Sequence, residues 1–102
     1  MKAKPTAILA SNDLTAIGAM GAIYEHGLRV PDDISVVGFD DIPAAAFSIP
    51  SLTTVSQPLL EMGEIAARTL LEQIKNPDGD CAEIRVEPNF VVRKSTARPK
   101  TP

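Results

Sequence analysis

Short apolar runs alternate along the chain with longer stretches in which apolar residues recur at helical spacing. The runs Thr6–Ala10, Ile34–Phe39 and Leu52–Val55 are too short for helices, and their continuous apolar character predicts buried strands of a parallel sheet. Residues 14–26 and 58–75 carry the helical spacing. The pattern therefore predicts strands and helices in alternation.

Residues at the element ends support these two helices. Asn12 belongs to a run of three good N-cap residues, Gly27 supplies a stop for the first helix, and Pro58 suits the first position of the second. Gly18 and Gly21 lie inside the first helix and each cost about 1 kcal/mol of helix propensity relative to Ala. We expect them to allow close approach to a sheet or to a neighbouring chain. They form no dinucleotide fingerprint, because that motif lies between a strand and a helix.

The remaining segments complete the element order. Residues 42–51 predict a short helical turn and a loop, and residues 83–87 and 90–93 predict two final strands. Strands that alternate with helices in this way indicate an α/β layered domain with a mainly parallel sheet and flanking helices.

The second long helix carries a broad apolar stripe opposite a charged face. Such a stripe predicts packing against another surface, whereas the charges on the other face are ordinarily solvated. The apolar stripe comprises Leu59, Leu60, Gly63, Ala66, Ala67, Leu70, Leu71 and Ile74.

Polar side chains follow each of the three predicted parallel strands. Asn12 and Asp13 follow the first strand, Asp40 and Asp41 the second, and Ser56 and Gln57 the third. Ligands of open α/β sheets bind at the edge where the carboxyl ends of parallel strands meet. A carboxylate beside amides suits a neutral polyol, since it accepts hydrogen bonds from hydroxyls while the amides donate and accept. We therefore expect Asn12, Asp40 and Gln57 to form a ligand-binding site.

Each of these residues also has a purely structural interpretation. Asn12 or Asp13 could cap the first helix, and Asp40 could cap the turn at residues 42–43. Gln57 could cap the long helix or lie on the surface. Capping and ligand binding are compatible, and the coincidence at three strand ends favours a site.

Composition limits the other classes of function. A chain of 102 residues suits one modest domain, and its net charge of -3 lacks the basic excess of a nucleic-acid surface. Cys81 is the only cysteine and is expected to be a reduced thiol, and with His26 the only histidine an ordinary zinc site is excluded. No run suggests a signal peptide or a membrane span, so a cytoplasmic protein is expected.

Two enzymatic interpretations have weak support. Asp13, Asp40 and Asp41 resemble a phospho-acceptor cluster with magnesium, but a matching strand-end lysine is missing. Ser11 and Ser56 have no histidine base near a strand end, which argues against nucleophilic catalysis. We expect no enzyme activity and no cofactor.

Four ordered motifs identify a family resemblance that runs from about Pro5 to Ala97. They are SND-x-x-A-I-G-A, G-x-x-V-P-x-D-I-S-V-V-G-F-D-D, P-x-L-T-T-V-x-Q-P and V-V-R-x-S-T. In this order they resemble the C-terminal part of the effector-binding domain in the lactose-repressor/galactose-repressor (LacI/GalR) family of transcriptional regulators.

The resemblance implies a fold like that of type I periplasmic binding proteins, with a small molecule, commonly a sugar, held between two α/β lobes. Family positions that contact effector match Asn12, Asp40 and Gln57, and Leu59 is a further candidate. Operator DNA is bound in this family by an N-terminal domain that the chain lacks, and the regulators act as dimers. Which effector binds, and whether it induces or relieves repression, stays open.

The resemblance also assigns parts of the chain to lobes. Residues 1–56 and 80–97 match the C-terminal lobe, and residues 57–79 match a helix that packs on the N-terminal lobe. The chain is thus expected to be a piece of a longer regulator, whose uncovered helix face promotes self-association. A periplasmic sugar-binding protein of the same fold is the main alternative, and a doubly wound enzyme or signalling domain is the other.

Overall fold

Two compact units make up the chain in the computed structural model, which describes residues 4–80 and 83–100. The first unit consists of Met1–Ser56 and Asn89–Pro102, and the second of Gln57–Pro88.

The first unit has the predicted α/β architecture. Strands and helices alternate through its N-terminal part, and a final strand follows from the C-terminal segment. Its elements are β1 (Ala7–Leu9), α1 (Asp13–Glu25), β2 (Ser35–Val37), α2 (Pro43–Phe47), β3 (Thr54–Ser56) and β4 (Asn89–Val91).

Three strands of this unit run parallel and side by side. β1 and β2 pair in parallel along their full length, and two further parallel bridges, Val37 with Thr53 and Asp40 with Ser56, join β2 to β3. β4 pairs antiparallel with β3. The mainly parallel sheet predicted from the element order is confirmed.

The core of the first unit is aliphatic, as the scarcity of aromatic residues requires. Helix α1 contributes Ala16, Met20 and Ile23, which pack with residues of the strands and of α2. The tyrosine and the three phenylalanines are exposed. The remaining buried hydrophobic residues are Ala10, Ile34, Val36, Ala45 and Leu52.

The expected burial of β1 is wrong, and of the two alternatives for Gly18 and Gly21 approach to the sheet is wrong, whereas approach to a neighbouring chain stays a prediction. β1 is parallel but not buried, because it lies at the edge of the three parallel strands and leaves Leu9 78% exposed. Gly18 and Gly21 do not approach the sheet, since a Cβ on either would meet no atom within 4 Å. Both glycines lie on the exposed side of α1, so packing within the unit does not explain them.

The ends of α1 follow the predicted signals. The Asn12 side chain accepts a hydrogen bond of 2.8 Å from the Thr15 amide and caps the helix. At the other end Gly27 has φ +76°, a left-handed conformation that glycine adopts without steric cost. His26 Nδ1 lies 2.8 Å from the Ala22 carbonyl oxygen in the last turn.

The second unit consists of α3 (Leu59–Lys75) and the segment after it. Pro58 occupies the N-cap position, one residue before the place predicted for it. No residue of α3 is buried, although its apolar stripe is present. The strand predicted at residues 83–87 is wrong, because those residues find no strand partner in the described part of the chain and are mostly exposed.

No helix in residues 4–80 and 83–100 combines the length and the apolar character that a membrane crossing requires.

Candidate functional site

The carboxyl ends of the three parallel strands meet in the first unit. The Asp13 amide, just beyond β1, donates a hydrogen bond of 3.0 Å to the Phe39 carbonyl oxygen, just beyond β2. The Asp40 amide in turn donates a bond of 2.9 Å to the carbonyl oxygen of Val55 in β3. The segment that leaves β2 is therefore hydrogen-bonded both to the segment that leaves β1 and to β3 itself.

Asp13 lies at the centre of this junction and is fully buried. Its Oδ1 accepts a hydrogen bond of 2.6 Å from the Thr54 hydroxyl, and its Oδ2 accepts one of 2.8 Å from the Ile42 amide. As the first residue of α1 it also lies at the positive end of the helix dipole, which favours a negative charge. A buried carboxylate is tolerated here because hydrogen bonds and the helix end compensate its desolvation.

The segment that leaves β2 contains two consecutive residues in positive-φ conformations. Asp40 has φ 116° and Asp41 has φ 60°, which non-glycine residues adopt rarely and at a cost in free energy. The Asp41 carboxylate forms an ion pair of 2.8 Å with Arg93 Nη1. We name residues 40–42 the acidic turn.

Asn12 is half-buried and its Oδ1 is engaged in capping α1. The structural interpretation of Asn12 is thereby confirmed. The capping bond uses the acceptor end of the amide, so it fixes the side chain while Nδ2 takes no part in that bond. The cap is thus compatible with a second role as a hydrogen-bond donor.

Asp40 and Gln57 do not occupy the N-cap positions of the helices that follow them. Ile42 occupies the N-cap position of α2 and Pro58 that of α3, and neither helix has a side-chain cap. Asp40 is half-buried in the first unit, beside Ser56. Gln57 is the first residue of the second unit, and its carbonyl oxygen accepts a bond of 2.8 Å from the Leu59 amide.

The structure thus brings together part of the predicted site. The strand ends that carry Asn12 and Asp40 adjoin within one unit, whereas Gln57 belongs to the other unit, so its membership of the site stays a prediction. No group of three or more histidine, cysteine, aspartate or glutamate side chains in residues 4–80 and 83–100 could hold a metal ion.

Two residues that shape the acidic turn were not found from the sequence. Thr54 lies in an apolar run where a hydroxyl gives no sign of its partner, and Arg93 follows the last strand far from the acidic turn in sequence. For Asp13 the sequence suggests a strand-end residue, a cap or a phospho-acceptor, but not a support of the acidic turn. Its position after an apolar run was the one available signal, but only the fold reveals that it is buried.

Residues 1–96 match a domain family described as periplasmic binding protein-like. Among curated relatives, the ribose operon repressor of Haemophilus influenzae is 44% identical over 92 residues, which are 90% of this chain and 28% of that protein. The chain therefore spans less than a third of the length of this relative.

Solved structures show the same partial coverage. A LacI family transcriptional regulator from Enterococcus faecium with bound ribose has a TM-score of 0.85 and 36% identity, over 96% of this chain and 36% of that one. The dimeric Lac repressor with an 11-residue C-terminal deletion has a TM-score of 0.84 and 42% identity, over 94% of this chain and 35% of that one. These matches confirm the resemblance inferred from the four sequence motifs.

Proposed function

The chain belongs to the family of periplasmic binding protein-like domains, and we propose that it senses a small-molecule effector, a sugar, for a transcriptional regulator of the LacI type. Asn12, Asp40 and Gln57 are the residues proposed to bind the effector. The activity is binding and not catalysis, and operator DNA is contacted by a part of the regulator outside this chain. The cytoplasm, where such regulators meet DNA, is the proposed location.

The observation that carries this proposal is the junction of three parallel strand ends around Asp40. Its amide is tied to Val55, and the preceding Phe39 carbonyl is tied to the start of α1 beside Asn12. A carboxylate and an amide held at one sheet edge match the acceptors and donors that a sugar presents. The relative that carries ribose in its crystal structure supports this ligand class.

Calorimetric titration of ribose, with glucose and cellobiose as comparison sugars, tests the proposal. The titrated protein is this chain or, where it is part of a longer regulator, that whole protein. Asp40→Asn keeps the size of the side chain and tolerates a positive φ, but removes the charge. We expect ribose affinity to fall by about tenfold or more, because a hydrogen bond to a charged group contributes about 1.5–3 kcal/mol.

Asp32→Asn is the matched control. The Asp32 side chain is 62% exposed and pairs with Arg29 at 3.6 Å, a surface ion pair of little energetic consequence. The ribose affinity of Asp32→Asn should equal that of the wild type. Equal affinities for the Asp40 variant and the wild type would remove Asp40 from the site, and a wild type that binds none of the three sugars would remove these sugars as effectors.

Dimerisation is a further part of the proposed function. The first unit exposes Tyr24 by 81%, Phe47 by 83% and Ile49 by 96%, and Tyr24 and Ile49 line one apolar groove between α1 and the segment after α2. A second copy of the chain is the proposed occupant, by analogy with the dimeric relative. In sedimentation equilibrium, Ile49→Glu should weaken the dimer by about tenfold or more, unlike Val92→Glu outside the groove. Equal dimer affinities of the two variants would refute this surface.

A further inference from the structure

We propose that Asp13 is a positioning residue that holds the acidic turn in the conformation from which Asp40 binds the effector. The inference rests on the proposed role of Asp40 in effector binding. Asp13 itself is fully buried and is placed here behind the site, not in contact with the ligand.

Asp13 joins three parts of the first unit. Its backbone begins α1, one oxygen binds Thr54 in β3, and the other binds the Ile42 amide at the end of the acidic turn. The bond to Ile42 lies directly after the two positive-φ residues. It therefore fixes the point at which the chain must leave the turn.

The acidic turn has a strained backbone that requires stabilising contacts. Two successive non-glycine residues at φ 116° and 60° persist only where the surroundings compensate their backbone strain. Beside the sheet-like bond of Asp40 to Val55, the side-chain contacts of Asp13 with Ile42 and of Arg93 with Asp41 hold the turn. The contact made by Asp13 is the less exposed of the two, because Asp13 is fully buried whereas 20% of the Arg93 side chain is exposed.

The chain packs closely around the Asp13 carboxylate. A Cβ at Gly38 would lie 2.8 Å from Leu52 Cδ2 and still closer to Asp13 Oδ1. The glycine thus allows the chain just after β2 to pass directly against the carboxylate. Thr54 on one oxygen and Ile42 on the other hold the side chain in this position.

Asp13→Ala is the decisive variant, because it removes both acceptor oxygens. The Ile42 amide then has no partner on this side chain, whichever way the Thr54 hydroxyl turns. We expect the Ile42 amide to exchange its hydrogen about tenfold faster, as followed by NMR, and ribose affinity to fall about tenfold or more. An unchanged Ile42 exchange rate in a folded variant would overturn the proposal.

Ser95→Ala separates positioning from general stability. Ser95 is fully buried and its hydroxyl bonds Thr53 and Val36, both outside residues 40–42. Loss of the Ser95 hydroxyl should destabilise the protein. The ribose affinity and the exchange rate of the Ile42 amide should stay at wild-type values, provided that exchange is measured under conditions where global unfolding does not contribute. Equal changes in both variants would reduce Asp13 to an ordinary stabilising residue.

Thr54→Val provides a test should Asp13→Ala fail to fold. It removes one of the two anchors of the carboxylate, so we expect a smaller acceleration of Ile42 exchange and a smaller loss of ribose affinity, with Thr54→Ser restoring both. No acceleration in Thr54→Val would contradict the proposal. Faster Ile42 exchange in a protein whose wild type binds no sugar would instead refute the proposed function and leave the positioning role of Asp13 supported.

Discussion

Arg93 and Asp41 form an ion pair with 2.8 Å between Nη1 and Oδ1, and the two side chains are 20% and 23% exposed. The same Nη1 donates a hydrogen bond of 3.1 Å to the Leu52 carbonyl oxygen, while the Arg93 amide donates one of 2.9 Å to Thr53 Oγ1. The segment after β4 is thereby tied both to the acidic turn and to the start of β3.

Replacement of Arg93 by Lys should be destabilising although the charge is kept. The charged nitrogen of lysine lies one bond closer to the backbone than Arg93 Nη1, so it does not reach the position from which that nitrogen contacts a carboxylate and a carbonyl together. We expect a loss of about 1 kcal/mol in the free energy of unfolding, measured by urea denaturation, given the partial exposure of the pair. The control is Arg29→Lys, whose side chain is 67% exposed. Equal unfolding free energies for the two variants would contradict this role of Arg93.

A Cβ at position 38 is expected to be costly. It would approach Asp13 Oδ1 and Leu52 Cδ2 too closely, and neither atom can move freely because Asp13 is held by two hydrogen bonds and Leu52 is fully buried. Gly38→Ala should therefore lower the free energy of unfolding by about 2 kcal/mol or more.

Gly18→Ala is the matched control for this steric effect. Position 18 is in the helix α1 and has open space around it, so Ala should raise the free energy of unfolding by up to about 1 kcal/mol through helix propensity. Both values come from the same urea titration. The steric account is rejected if Gly38→Ala is as stable as the wild type.

Separate substitutions of Asn12 should distinguish its cap from its proposed ligand contact. Asn12→Asp keeps an oxygen for the Thr15 amide, so its unfolding free energy should stay within about 0.5 kcal/mol of the wild type, whereas Asn12→Ala should lose about 1 kcal/mol. Both variants lack the amide donor, so both should bind ribose more weakly in calorimetry. Full ribose affinity in Asn12→Asp would show that Asn12 serves the helix alone.

The sequence pattern predicted the parallel strands and the helices because each carries a local signal. Apolar runs mark β1, β2 and β3, and Asn12 and Gly27 mark the ends of α1. The strand expected at residues 83–87 shows the limit of such signals, since alternation describes a side-chain pattern and a strand also requires a pairing partner.

The candidate site was predictable only at the level of which residues follow each strand. Nothing local shows that Asp13 is buried beside the acidic turn, because its partners Thr54 and Ile42 are distant in sequence and each looks ordinary alone. The positive φ angles of Asp40 and Asp41 were equally hidden, since aspartate tolerates this conformation without requiring it.

Acid should weaken the fold partly through Asp33, which lies outside the candidate site. The Lys100 ammonium, 2.9 Å away, the Arg29 backbone amide and the Arg29 side chain lower the pKa of Asp33 from its ordinary 3.8 to about 2. The folded protein therefore holds this carboxylate ionised where the unfolded chain has already taken up a proton. The resulting stabilisation is complete above the unfolded pKa and is lost as the pH falls through the folded pKa.

The free energy of unfolding of the wild type should thus fall more steeply between about pH 4 and about pH 2 than that of Asp33→Asn, which has no proton to take up at this position. Lys100→Met should give an intermediate slope, because it removes the largest cause of the shift while the Arg29 contacts remain. Urea denaturation of the three proteins across this range measures the slopes. Since every other carboxylate titrates in all three, parallel curves for the wild type and Asp33→Asn would mean that the contacts of Asp33 with Lys100 and Arg29 contribute no pH-dependent stability.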